Sequence, residues 1–230
     1  MRDLQVFISA EYKISKALVF AWNGRPGHME FPAWRVAAGK AAIAHELAHV
    51  FLPNGNRLLA EGLAVCLQSS IGGNPAFPNF GRPLNELARD HLEEMAPEFS
   101  HGGLFEQVHL ADLDRIATPS PLTLTVGTEF YGEEPRGQAR IYSIAGSFVQ
   151  YLLETRGMDK FYALYLQTPL VPLARNAGTL DRWMKVYGVS LAELEREWKS
   201  AISRRPLKHW SSHYGATATG DERCLKSNPR

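Results

Sequence analysis

Between residues 41 and 51 the chain is apolar at Ala41, Ala42, Ile43, Ala44, Leu47, Ala48, Val50 and Phe51. Wound as a helix, this run is apolar nearly all round, which predicts a helix lying inside the protein. Pro53-Asn54-Gly55-Asn56 follows as a strong turn signal. The apolar pattern resumes at Leu58-Leu59 and continues through Cys66-Leu67. Together these stretches predict two antiparallel helices joined by a tight turn. Gly62 in the second offers no side chain, which would let the two helices approach closely.

On either side of this hairpin the pattern changes. Ahead of it, Leu4-Gln5-Val6-Phe7-Ile8 and Ala17-Leu18-Val19-Phe20-Ala21-Trp22 are short β-prone runs, closed by the break Asn23-Gly24-Arg25-Pro26-Gly27. They predict a small sheet packed ahead of the first hairpin helix. Residues 71–83 are rich in Gly, Pro and Asn and predict a loop. Leu84 to Met95 reads as a helix ended by Pro97, and Leu122-Thr123-Leu124-Thr125-Val126 as a short strand or extended crossing segment. The charged stretch from Gly132 to Gly137 predicts a loop. From residue 139 the periodicity is helical, with Ile141, Ile144, Phe148 and Leu152 on one core-facing stripe. Gly157 ends that helix, and Asp159 to about Gln167 forms the next, stopped by Pro169 and Pro172. Thr179 caps a helix over Leu180–Tyr187. Ser190 with Glu193 forms a capping box for a last helix through Ile202, with Leu191, Leu194 and Trp198 as its apolar stripe. The pattern therefore predicts an α+β, mostly α fold: a small N-terminal sheet on a helical hairpin (residues 1–70), then a C-terminal helical bundle (84–205) in the same domain. Residues 206–230 read as a polar tail.

Composition narrows the class. The 230 residues can bury a sizeable core, and a hydrophobic content of 45% is ordinary for a globular protein. The formal net charge is +1, which gives no reason to expect nucleic acid or an anionic membrane surface as a partner. Absence of any 18-residue apolar run argues against a membrane span. The N-terminal residues lack the apolar core of a secretory signal, so the expected compartment is the cytoplasm, or an exported one if a signal has been removed. Cys66 and Cys224 are too few for a disulfide framework.

The hairpin carries the chemistry. Residues 45–49 read His45-Glu46-Leu47-Ala48-His49, and Glu61 follows twelve positions after His49. Residues four apart share a helix face, so His45 and His49 can bind one metal ion. Glu46 sits beside them, able to take a proton from a water on that metal. Because His49 lies about one turn before the break and Glu61 about one turn after it, an antiparallel hairpin sets the Glu61 carboxylate opposite the two imidazoles. Two imidazoles, one carboxylate and one water make the open four-coordinate site of catalytic zinc, which points to a hydrolase of peptide bonds. Structural zinc commonly takes four protein ligands, often thiolates, and the nearest thiol, Cys66, is poorly spaced for the same helix face. Left open are a scaffold that binds metal or a partner without turnover, a zinc hydrolase of non-peptide substrates, and interior polar residues with Glu61 simply ion-paired.

His45-Glu46-Leu47-Ala48-His49 together with Glu61-Gly62-Leu63-Ala64 resembles the gluzincin zinc metallopeptidases, in particular the peptidase MA-like families related to the M1 aminopeptidases. That resemblance implies a thermolysin-like catalytic core, with one zinc ion on His45, His49 and Glu61, Glu46 as general base, and a peptide or protein as substrate. Ile141-Tyr142-Ser143-Ile144-Ala145-Gly146 is similar to the helix carrying the catalytic tyrosine in M1-type enzymes, which implies that Tyr142 stabilises the oxyanion. Ala145 and Gly146, one turn on, would leave room near its ring. Gly27-His28-Met29-Glu30-Phe31 partly resembles the edge strand with which the aminopeptidases hold the substrate amine, making Glu30 a substrate-binding candidate. Two departures stand out: that strand's asparagine is absent, and only eleven residues separate His49 from Glu61, fewer than in the M1 aminopeptidases.

Overall fold

The structure is a computed structural model, and it describes residues 4–18, 27–72, 76–93, 109–114, 136–168 and 181–204. The strands are β1 (Gln5–Ser9), β2 (Lys16–Leu18) and β3 (His28–Pro32). The helices are α1 (Ala33–Ala37), α2 (Ile43–Phe51), α3 (Arg57–Gly72), α4 (Leu84–Glu93), α5 (Leu110–Leu113), α6 (Arg136–Arg156), α7 (Met158–Leu166), α8 (Asp181–Tyr187) and α9 (Leu191–Arg204). The fold is thus mostly helical with a three-stranded sheet, as the pattern predicts. Val19 to Trp22, Met95, the strand expected at Leu122–Val126, most of the loop expected from Gly132, the Thr179 cap and the polar tail lie outside the described residues. No described helix is long and apolar enough to cross a membrane.

In the sheet, β3 lies between the other two strands, parallel to β1 and antiparallel to β2. The Gly27–Phe31 segment therefore runs through the middle of the sheet, whereas its resemblance implies an edge. Alternation along β3 gives each face a different task. Met29 and Phe31 face α2 and pack with Ala17, Ala41, Leu47 and Val50 in a small cluster. His28 and Glu30 lie on the opposite face, where Lys16 stands directly across from Glu30.

The larger core lies between the helices. Leu58, Leu59 and Leu63 of α3, Ile144, Phe148 and Leu152 of α6, and Leu194 and Trp198 of α9 belong to one buried cluster. Phe148 stands between two tryptophans, its ring centroid 6.0 Å from Trp183 and 5.8 Å from Trp198. Each such side chain, fully withdrawn from water, contributes about 1.5–3 kcal/mol. The α6 stripe and the α9 stripe fall where the periodicity placed them. The capping box at α9 forms as expected: Glu193 N–H donates to Ser190 Oγ at 3.2 Å, and Ser190 N–H donates to Glu193 Oε2 at 2.8 Å. Gly157 turns the chain between α6 and α7 with φ of 86°, a left-handed conformation that favours glycine.

Two expectations about packing are corrected. Gly62 does permit a close helix approach, but toward α6 and not toward α2. A Cβ at Gly62 would lie 2.6 Å from Val149 Cγ2 and 2.7 Å from the Ala145 carbonyl oxygen, and one at Gly146 would lie 2.5 Å from Val65 Cγ1. The reason is helical geometry: with Glu61 turned toward α2, the next residue points about 100° away. The glycine in Ala145-Gly146 consequently seats α6 on α3 and does not open space beside Tyr142. Secondly, α2 does not lie wholly inside. Ile43 and Phe51 are 48% and 71% exposed. The sheet covers one side of α2 and α3 another, and the arc that carries Ile43 and Phe51 is left to solvent.

Candidate metal centre

The first two candidate ligands rest on the periodicity of α2. His45 and His49 are one turn apart, with ring centroids 4.8 Å apart and planes at 80°. Their Nε2 atoms are 3.1 Å apart. Glu61 arrives from α3, with Oε2 at 3.2 Å from His45 Nε2 and 3.3 Å from His49 Nε2. His45 and Glu61 are buried, and His49 is nearly so.

The register of this meeting is set by the turn between the helices. Asn56 caps α3: its side-chain oxygen accepts from Leu59 N–H at 3.0 Å. Its amide donates to the Asp114 carbonyl at 2.7 Å and to Asp114 Oδ1 at 3.1 Å. Asp114 is in turn held by the Arg182 guanidinium and by the Trp183 indole N–H, the latter at 3.1 Å. The other half of the turn is clasped by α7. Asn54 donates to the Tyr165 carbonyl at 3.1 Å, and the Tyr165 hydroxyl donates to the Leu52 carbonyl at 2.6 Å. Glu61 is therefore presented by a helix whose start is tied to three other segments.

Charge follows the geometry. Burial alone would raise the Glu61 pKa, but the charges and hydrogen bonds of His49 and His45 outweigh it and hold the carboxyl well below its ordinary value. Burial works against a charged His49, yet Glu61 and then Glu46 carry its pKa above the usual imidazole value. For Glu46 burial dominates and raises the pKa, while His45 and His49 oppose the shift. The Ala17 backbone N–H of β2 donates to the Glu46 carboxylate, and the Arg35 guanidinium of α1 acts on it electrostatically.

Tyr142 closes the group from α6. Its ring stacks on that of His45, with centroids 5.9 Å apart and planes at 20°. Phe77 meets it edge-on at 5.6 Å. Burial and the Glu61 charge raise the phenol pKa, and Arg57 pulls it down by its charge and by a hydrogen bond.

Do these residues suit a metal ion? Tetrahedral donors at bonds of about 2.0 Å stand about 3.3 Å from one another. The three donor separations here are 3.1, 3.2 and 3.3 Å. Glu61 Oε2 is buried and faces both ring nitrogens, so this acceptor is placed to take a cation together with them. His45 Nδ1 is also buried, with no hydrogen-bond partner among the described residues, so no group seen here fixes its tautomer. His45, His49 and Glu61 can thus hold a metal ion; among the described residues they are the only such group of three.

Of the residues singled out from the sequence, the structure brings together His45, Glu46, His49, Glu61 and Tyr142. It does not bring Glu30 to them. The Glu30 carboxylate lies on the far face of the sheet, 2.8 Å from Lys16 Nζ and 3.1 Å from His28 Nε2. Sequence reasoning missed Arg57, Asn56, Asp114, Arg182 and Tyr165. Asn56, directly ahead of a helical pattern, is a capping signal; Asp114 and Arg182 are 68 positions apart and carry none. No protein-family model, curated protein or solved structure matches this chain.

Proposed function

We propose that this chain is a zinc-dependent peptidase of the gluzincin kind. The observation that carries the reading is the convergence of three donor atoms at 3.1–3.3 Å from one another, with Glu46 and Tyr142 beside them. Two nitrogen donors and one oxygen donor suit zinc, and three protein ligands are the number of a catalytic site. When bound, zinc supplies a water of lowered pKa and polarises the carbonyl of the scissile amide.

The protein's own groups do the rest. Burial raises the Glu46 pKa while its two histidine neighbours hold that rise in check, which suits a group that must take a proton and then release it. It takes the proton of the attacking water and delivers it to the leaving amine. The Ala17 N–H holds the carboxylate in place while it does so. Tyr142 keeps its proton at any ordinary pH and donates a hydrogen bond to the carbonyl oxygen as that atom gains charge.

The test is cleavage of a mixed-peptide library by the purified protein, read by mass spectrometry with and without a chelator. The expected result is hydrolysis that chelation abolishes and zinc restores, and its loss in Glu46→Gln with metal retained. Cleavage that survives chelation, or a fully active Glu46→Gln, defeats the proposal. A zinc-replete protein that cleaves no peptide leaves the metal site standing and removes the peptidase reading.

A further inference from the structure

Helix α3 offers a second functional side chain on the face that carries Glu61. Arg57 is the first residue of α3 and lies four positions before Glu61, so the two project from one face, one turn apart. Glu61 reaches the imidazoles; Arg57 reaches Tyr142. Its guanidinium carbon is 5.7 Å from the Tyr142 ring centroid, and its side chain donates a hydrogen bond to the phenol oxygen. The base of Arg57 is fixed, because Asn56 beside it caps the helix and is tied to Asp114.

A phenol has one proton to give and two lone pairs to receive. A donor on one lone pair forbids the O–H hydrogen from pointing in that direction. The Tyr142 ring cannot swing aside, since His45 lies on its face and Phe77 against it. We propose that Arg57 is a positioning residue: by donating to the Tyr142 oxygen it turns the O–H hydrogen away from itself, so that Tyr142 meets the reacting carbonyl as a donor. This inference rests on the peptidase reading of Tyr142, and its test separates the two.

In metal-free protein carrying [13Cζ]tyrosine, the Tyr142 resonance is identified by its loss in Tyr142→Phe. Arg57→Gln should move that resonance, and Arg57→Lys, which keeps one donor, should move it less. In zinc-loaded protein Arg57→Gln should lower kcat on the order of tenfold, the scale of one charge-assisted hydrogen bond, with KM little changed. The same substitution made on Tyr142→Phe should cost almost nothing further, and Arg57→Lys should recover part of the loss. An unmoved resonance in Arg57→Gln overturns the proposal. So does a tenfold loss that persists on Tyr142→Phe, which would mean that Arg57 acts on substrate or on the fold. A protein that hydrolyses no peptide overturns the peptidase reading alone, because the resonance still decides whether Arg57 sets the tyrosine hydroxyl.

Discussion

The two helices that supply the candidate ligands are built differently. Helix α3 is buried almost throughout its length, capped by Asn56 and pressed onto α6 through Gly62. Helix α2 has no side-chain cap, rests on a cluster of three buried residues, Met29, Phe31 and Ala41, and leaves Ile43 and Phe51 in solvent. One ligand thus stands on a rigid support and two stand on a lighter one. A site split this way makes the metal a tie between a large core and a small one. Binding would then stabilise chiefly the region that needs it, since a ligand favours the state that holds it.

The largest test of that contrast is a pair of core truncations. Trp198→Ala in the large core should cost about 3–5 kcal/mol. Phe31→Ala in the small cluster should cost less in chelated protein and more when metal is present, because the metal couples the two cores. Denaturant unfolding with and without chelator measures both. Equal costs in the two states would remove the coupling.

Next in size is the α3–α6 contact. Gly62→Ala puts a methyl into Val149 and the Ala145 carbonyl, and a carbonyl gives way less readily than a side chain. The expected loss is about 1–3 kcal/mol, with weakened metal binding because Glu61 is the preceding residue. A variant with unchanged zinc affinity would show that Glu61 does not depend on this seating. Smaller again, Asn56→Ala should cost about 1 kcal/mol as a lost cap, plus a further loss for leaving Asp114 with one donor fewer.

Much of this was legible in the pattern of the chain, and the parts that were not have physical reasons. The hairpin, the α6 stripe and the α9 capping box are local: 3.6-residue periodicity and capping residues act within a few positions. Strand β3 does alternate, with Met29 and Phe31 against His28 and Glu30, but it follows directly on the break Pro26-Gly27 and is only five residues long. The direction in which Gly62 makes its close contact depends on which helix lies beside it, which no local signal encodes. The clasp of Asn56, Asp114 and Arg182 joins distant segments through single polar side chains, and such pairs have no period. Within the site, the ligand triad was readable because one helix turn and one tight turn fix it, whereas Arg57 was not, because its role is defined by a tyrosine on another helix.

The smallest effect is a pH dependence that differs between the two forms. In metal-free protein His49 has a raised pKa, so its contribution is complete below about pH 6.5 and is lost as pH rises through its folded value. Glu61 has a lowered pKa, so its contribution is present above about pH 4.5 and is lost only as pH falls through its folded value. The joint contribution of these two groups should therefore be greatest between these limits and fall toward alkaline pH. Zinc competes with the proton on His49, so stabilisation by zinc should grow over the same alkaline rise. Melting curves across pH with and without zinc distinguish the two slopes; parallel slopes would mean that the proton and the metal do not share His49.

X-ray absorption at the zinc edge of protein reconstituted with one equivalent of zinc addresses the metal centre itself. The account predicts one tightly held ion per chain, with a shell of two imidazole nitrogens and oxygen at about 2.0 Å, and loss of that ion in Glu61→Ala. Zinc that fails to bind, or a bound ion whose shell is unchanged by Glu61→Ala, would contradict it.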